Sequence, residues 1–261
     1  MPLQQWILIN IPTWIILSTM LIVVIGTSVG GVLLVRRYVP VANLKHHHDI
    51  AGPIFSTAGV IYAVLLGFVL IVVWQNYDKA QDNVISEANT YVDIYRDLAG
   101  IPEPYRSNAQ EFMKTYVNVI IEDEWPLLAE GKRSLKVQEF GARSWTLMAQ
   151  FEPATESQKV FYAEILDKMN HAGELRRQRI ADASSGTHPV LWSVLLLGGI
   201  ITVVLTLFFG SEGLFAQLTM TTLLSVLIVL LLFTILIMDF PFSGDLSIGP
   251  EAFQQALMYM E

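Results

Sequence analysis

The chain has 261 residues, 53% of them hydrophobic and only 15% charged, with a net charge of −8 and a positive mean hydropathy. The negative balance leaves no electrostatic case for nucleic-acid binding. With no cysteine, the fold is independent of redox state and no Cys-based zinc or thiol site is possible.

Four apolar runs, roughly 12–35, 53–75, 189–209 and 214–238, contain no charged side chain. Each is close to the ~20 residues an α-helix needs to cross a bilayer. A helix that is apolar all round must be buried all round, and a soluble chain of this length has no use for four of them. The expected fold is therefore all-α, an integral membrane protein with four transmembrane helices. A helical extramembrane domain is inserted between the second and third. The predicted parts are a first helix pair (1–75), the extramembrane domain (76–188), a second helix pair (189–238) and a C-terminal loop packing on the extramembrane domain (239–261).

The first run is too long for a signal peptide and lacks a basic start and a cleavage site, so it is expected to stay in the protein. Gly26-x-x-x-Gly30 within it has the spacing that lets helices approach closely. Arg36 and Arg37 end it at an interface. The loop 38–52 carries His46, His47 and His48; consecutive residues cannot all face one ion from a regular element, so an exposed polar loop is the plainer reading. Pro53 opens the second run, which continues past Trp74 to Leu98 with no further proline and no glycine after Gly67. One helix from about 53 to 98 is predicted, about 70 Å long at 1.5 Å per residue. Tyr77, Val84, Tyr91 and Leu98 recur every seven residues on it, a heptad-like stripe that favours self-association around this helix.

Gly100, Pro102 and Pro104 stop that helix. Ser107-x-x-Gln110 has the form of a capping box, with Phe112, Tyr116, Val119 and Ile120 on one face after it. The acidic trio Glu122, Asp123, Glu124 precedes a break at Trp125-Pro126. A helix near 135–150 follows. Another begins at Thr155-x-x-Gln158 and turns Phe161, Leu166 and Met169 inward. Arg176, Arg177 and Arg179 either meet anionic lipid headgroups or pair with the acidic trio. After the fourth run, Asp239, Asp245 and Glu251 stand among Gly and Pro, a possible source of oxygens for a hard cation such as calcium, though three carboxylates are few. No P-loop, GxGxxG, GxSxG or HExxH signature is present, so no enzyme is expected.

Two segments resemble the bestrophin channels, most closely the prokaryotic families described as bestrophin-like. Leu66-Gly67-Phe68 followed by Trp74-Gln75-Asn76-Tyr77-Asp78 is similar to their second helix. Pro241-Phe242-Ser243-Gly244-Asp245 is similar to the Pro-Phe-Gly-acid stretch after their last pass, with Ser243 added and without the further acids that follow there. The resemblance implies a homo-oligomer, usually a pentamer, whose second helix lines a central pore with a hydrophobic neck. Phe68 matches the neck phenylalanine, with Val64 and Val60 one and two turns earlier; Gly67, Trp74, Asn76 and Tyr77 carry the motif. It also implies calcium at the C-terminal loop, where Asp245 matches the first acid after Pro-Phe-Gly, and partners in membrane lipid, other copies of the chain and the permeant ions.

The expected function is thus a homo-oligomeric ion channel. Between 76 and 188 there are 13 Lys and Arg against 18 Asp and Glu, a net of −5, so the expectation leans to cations. The alternative is a membrane-anchored scaffold or signalling protein with no permeation. A transporter ranks third, since no inverted repeat is visible. Basic residues in the short loop 38–52 favour that loop inside, whereas the resemblance puts the insert and both termini in the cytoplasm of a bacterial inner membrane. We follow the resemblance.

Overall fold

The computed structural model of the chain describes residues 2–40, 48–208 and 213–261. In order, the elements are α1 (Leu3–Asn10), α2 (Thr13–Tyr38), α3 (His48–Asp97), a 3-10 turn (Leu98–Gly100) and α4 (Tyr105–Val119). A π-helical turn (Ile120–Glu124) then leads into α5 (Trp125–Leu128). After it come α6 (Leu135–Ala149), α7 (Glu156–Ser184), α8 (Pro189–Leu207), α9 (Leu214–Met238) and α10 (Glu251–Tyr259). Among the described residues every regular element is helical. Among the described residues four helices are long and apolar enough to cross a membrane, and the chain is a multi-pass membrane protein. His46, His47 and the 209–212 part of the last inter-helix connection lie outside the described residues.

The chain divides into two compact units: residues 11–75 with 186–239, and residues 1–10 with 76–185 and 240–261. In the membrane unit, α2 packs on α9, where the Ser28 hydroxyl donates to Ser225 Oγ at 2.8 Å and Arg36 Nε donates to Gln217 Oε1 at 2.8 Å. Close approach is made at Gly31, where an added Cβ would come within 3.0 Å of Leu207. The Gly26–Gly30 pair has nothing within 4 Å, so the expected tight packing there is not made within the chain. On α3, Tyr62, Leu66, Val69 and Val73 are buried, at the 3–4-residue spacing of one helix face. Tyr62 donates its hydroxyl to the Leu195 carbonyl at 3.0 Å. Its ring rests on Gly198, where a Cβ would lie 2.5 Å from Tyr62 Cδ2.

The soluble unit is built around the later turns of α3. Val84, Ala88, Tyr91, Ile94 and Leu98 are all buried in one core with residues of α4, α6, α7 and α10. This corrects the expectation drawn from the heptad stripe: its apolar face is covered by the chain's own helices. The Ser107 capping box does not form either. α4 starts at Tyr105, and the Glu103 carboxylate accepts from the backbone N–H and hydroxyl of Ser107. The box at Thr155 and Gln158 forms with both reciprocal bonds. Met169 is buried, but Phe161 is exposed and lies against Gly100, where a Cβ would fall 2.2 Å from the ring.

The interior of this unit holds an ionic cluster. Glu87 and Arg179 are fully buried and doubly bonded, at 2.7 and 3.1 Å. Arg179 also donates to Glu124 Oε2 at 3.0 Å, and Arg176 takes the same carboxylate through Nε and Nη2. The π-helical turn puts Glu124 inside, while Glu122 stays exposed and Asp123 takes the Ser134 hydroxyl. Of the two readings of the arginine run, pairing with the acidic trio holds for Arg176 and Arg179. Arg179 is further covered by the Trp125 and Phe253 rings, 5.0 and 5.4 Å from its guanidinium carbon. Burial pushes the Glu87 carboxyl above the ordinary carboxylate range, against the lowering pull of Arg179. Burial works the same way on Glu124, but the bond from Arg176 and the charge of Arg179 outweigh it and hold the group low.

Candidate functional site

The candidate neck residues stand on the membrane part of α3. On this span Tyr62, Leu66, Val69 and Val73 are 7%, 3%, 5% and 3% exposed, whereas Val60, Val64 and Phe68 are 63%, 68% and 67% exposed. The difference is rotational. Steps of four residues turn a helix by about 40°, so Val60, Val64 and Phe68 share one stripe, away from the buried face. In the same helical register Ile71 and Gln75 follow, both exposed. Among the described residues, no other part of the membrane unit buries this stripe.

The small side of the helix has a different surrounding. Gly59, Ala63 and Gly67 border an apolar cavity of ≈ 200 Å³, closed by Thr202, Leu227 and Leu231. A Cβ on Gly59 or Gly67 would meet nothing within 4 Å. Trp74 is exposed. In the soluble unit, Asn76 is exposed and the Tyr77 hydroxyl donates to the Leu246 carbonyl at 2.9 Å. Farther along α3, Asp78, Asp82, Ser86, Asn89 and Asp93 recur at helical spacing, and each is exposed.

The three carboxylates proposed for calcium are not gathered. Asp239 is buried, and its oxygens accept from donors of its own unit: the backbone N–H of Thr187 at 2.7 Å, the Thr187 hydroxyl, and the Trp192 indole at 3.1 Å. It closes the end of α9 against the start of α8. Asp245 and Glu251 belong to the other unit and are exposed. Among the described residues no group of three His, Cys, Asp or Glu could hold a metal ion. The Asp239 carboxylate does not fit the calcium role placed on it, because it already accepts two N–H donors and one O–H donor and has little left to offer a cation.

What the C-terminal stretch does build is a clasp. Gly244 takes a left-handed φ of +83° with Leu8 O 3.3 Å from its would-be Cβ, a place only glycine suits. Ser243, the residue added to the motif, donates to the Ala129 carbonyl at 2.7 Å. It also accepts from Gln5 Nε2, which donates as well to the Ala129 and Ala183 carbonyls. Phe242 and Phe253 meet Trp125 edge-on at 6.1 and 5.2 Å, and the Trp125 indole donates to the Ile248 carbonyl at 3.2 Å. Gln5 and α1 were not anticipated as part of this unit; the sequence shows Gln4 and Gln5 side by side in an uncharged N-terminus, and nothing in it marks Gln5 as the buried one.

Comparisons with known proteins agree with this architecture. A model of the bestrophin-like domain family matches residues 22–253. A crystal structure of a bacterial bestrophin homologue from Klebsiella pneumoniae, phased with zinc, matches with a TM-score of 0.70 at 11% identity, over 93% of this chain and 96% of that one. A single-substitution variant of that homologue matches at 0.72 and 10%, over 92% and 97%. A third structure, described only as a membrane protein, matches at 0.72 and 11%, over 93% and 96%. At these identities the likeness is one of fold. No curated protein matches the chain. The chain belongs to the bestrophin-like family.

Proposed function

We propose that this protein is a homo-oligomeric, bestrophin-type ion channel in which α3 of each copy lines the pore. The observation that carries the reading is the bare stripe of Val60, Val64 and Phe68, more than 60% exposed on a helix whose opposite face is buried. In a ring of copies, most simply five as the resemblance implies, the stripe forms a narrow apolar neck that closes by dewetting. The exposed Asp78, Asp82 and Asp93 further along the same helix then line a vestibule. Because the apolar heptad face is covered within each chain, copies would meet around water and carboxylates there, which raises the local cation concentration. We therefore favour cations over anions.

Recordings in planar bilayers under asymmetric KCl test the reading, with a reversal potential on the potassium side expected. Reversal on the chloride side would remove the cation preference, and no conductance together with a monomer in mild detergent would favour a membrane-anchored scaffold. Phe68→Ala should raise the open probability, and unchanged currents would remove Phe68 from the neck. Chelating calcium should leave the currents unaltered, since Asp239 is already engaged by Thr187 and Trp192; a chelation response would restore a calcium role. We place the soluble unit in the cytoplasm of a bacterial inner membrane, which protease access to the unit in spheroplasts tests.

A further inference from the structure

The soluble unit contains a cavity of ≈ 460 Å³ between α3, α4, α6 and α7, a size suited to a small-molecule ligand. In a chain of net charge −8, no acidic side chain lines it, whereas Arg133, Arg176 and Arg177 do. Among the described residues, Arg133 and Arg177 are exposed and bonded to no partner in the chain. Arg176 gives Nε and Nη2 to Glu124 and keeps Nη1 free. The rest of the wall is mostly apolar, with the polar Gln138 and Ser144 in it; the rings of Tyr91 and Tyr116 are buried and Trp145 is exposed.

Two glycines keep the cavity open. Gly141 on α6 and Gly173 on α7 both line it, each in a helix interior where glycine is less stable than alanine. A Cβ on Gly141 would stand 3.3 Å from the Tyr116 hydroxyl, and one on Gly173 3.6 Å from Arg177 Nη1. Side chains at these places would fill the space beside the guanidinium and the phenol. A second cavity of ≈ 380 Å³ shares Trp145, Met169, Gly173 and Arg177 and adds Asp167 and Glu174, so Arg177 borders acids there, whereas the charged side chains lining the first cavity are arginines alone.

We propose that this cavity binds a small organic anion with an aromatic or apolar body, its carboxylate or phosphate held by Arg133, Arg177 and the free Nη1 of Arg176, its body against Trp145 and Met169. Guanidinium forks suit both oxyanions, and an aromatic wall suits a flat body. The site stands apart from the permeation reading and does not depend on it.

Phenyl phosphate is the probe, measured by calorimetry on the full chain in mild detergent; its double charge keeps it out of the micelle. Saturable binding at one probe per chain is expected. Arg133→Gln with Arg177→Gln should weaken it by about tenfold or more, the loss expected of charge-assisted hydrogen bonds. Both side chains are exposed, so the fold is kept, and an unchanged melting temperature without probe checks this. Trp145→Ala should weaken phenyl phosphate and leave inorganic phosphate unaltered. Failure to bind phenyl phosphate in the low millimolar range overturns the proposal. So does equal affinity in the double variant, or inorganic phosphate binding as tightly as phenyl phosphate, since then the arginines or the apolar wall have no part.

Discussion

The two ends of α3 are the same helix in covalent terms and opposite in how they are stabilised. From Val60 to Val73, one face is buried and the other, apolar as well, is left uncovered: Val60, Val64, Phe68 and Ile71 are all exposed. From Ala80 to Leu98 the apolar residues other than Ile85 are mostly inside, with Val84, Tyr91, Ile94 and Leu98 at 3% exposure or less, and the outward row of Asp82, Ser86, Asn89 and Asp93 is polar. The soluble end behaves as water requires, since exposed apolar surface there is unfavourable at about 25 cal/mol per Å². The membrane end is free of that constraint and can keep an apolar stripe for lipid or for another copy of the chain. A difference in solvent thus separates the part that holds the unit together from the part available for function.

The sharpest break in that comparison is at Arg179. Arg179→Ala leaves Glu87 buried and Glu124 with one partner fewer, and a broken buried ion pair costs about 3–5 kcal/mol. The loss should appear as faster amide exchange through the soluble unit and a lower melting temperature in detergent. The pH dependence follows from the carboxyls. The Glu87 carboxyl lies above its ordinary range in the native protein, so its contribution favours folding below the unfolded pKa and is lost as pH rises through the folded one. Without Arg179 that upward shift grows. The stability deficit of the variant should therefore shrink as pH falls from neutrality toward the carboxylate range. A deficit that is constant or larger in acid would mean that Glu87 is not the strained group. Wild-type Glu124 works oppositely: its lowered carboxyl adds stability above the ordinary range that is lost as pH falls.

Next in size is Ile94→Ala. Ile94 is 1% exposed in the core of the soluble unit, and truncating such a side chain costs about 2–5 kcal/mol through lost transfer energy and an unfilled cavity. Melting of the variant in detergent gives the value; a cost under about 1 kcal/mol would show that the later turns of α3 carry no core.

These two sites show what could be read in the sequence. The four spans were legible because hydropathy is local, and α3 was legible because nothing after Pro53 interrupts it. The capping box at Thr155 needs only four residues and formed as expected. The heptad of Tyr77, Val84, Tyr91 and Leu98 was seen correctly as an apolar face, but periodicity does not say whose surface covers it. The pairing of Arg179 with Glu124 was one of two readings the charges left open, whereas its pairing with Glu87, 92 residues away, had no signal in the sequence. The same holds for Gln5, whose three acceptors lie 124, 178 and 238 residues away. Asp239 was read by its chemistry as a ligand, and only its neighbours Thr187 and Trp192 show it to be a brace.

Within the membrane unit, Gly198→Ala asks whether the buried face of α3 is as tightly specified as the soluble core. The added methyl would fall 2.5 Å from Tyr62 Cδ2 and 2.7 Å from Cε2, and the ring is held by its hydroxyl on Leu195. Overpacking of this kind costs about 1–3 kcal/mol. The double variant with Tyr62→Leu should recover part of the loss, because the smaller side chain vacates the clash. No loss in the single variant would mean that α3 and α8 slide apart readily.

The smallest expected effect tests the comparison most directly. Val64 is 68% exposed, so Val64→Ala removes two methyl groups from a side chain that its own unit leaves largely uncovered. A change at such a place should alter the stability of one chain by less than about 0.5 kcal/mol, although the same truncation at a buried valine would cost more. The stability of an isolated chain is therefore the wrong readout for this residue, and the stability of the assembly is the right one. If Val64 lies against lipid, dissociation of the detergent-solubilised oligomer and single-channel conductance should both be unchanged. If it rims a neck, conductance should rise while the melting of the chain stays put. A lowered melting temperature for the chain itself would contradict both, because it would require Val64 to be packed within its own unit.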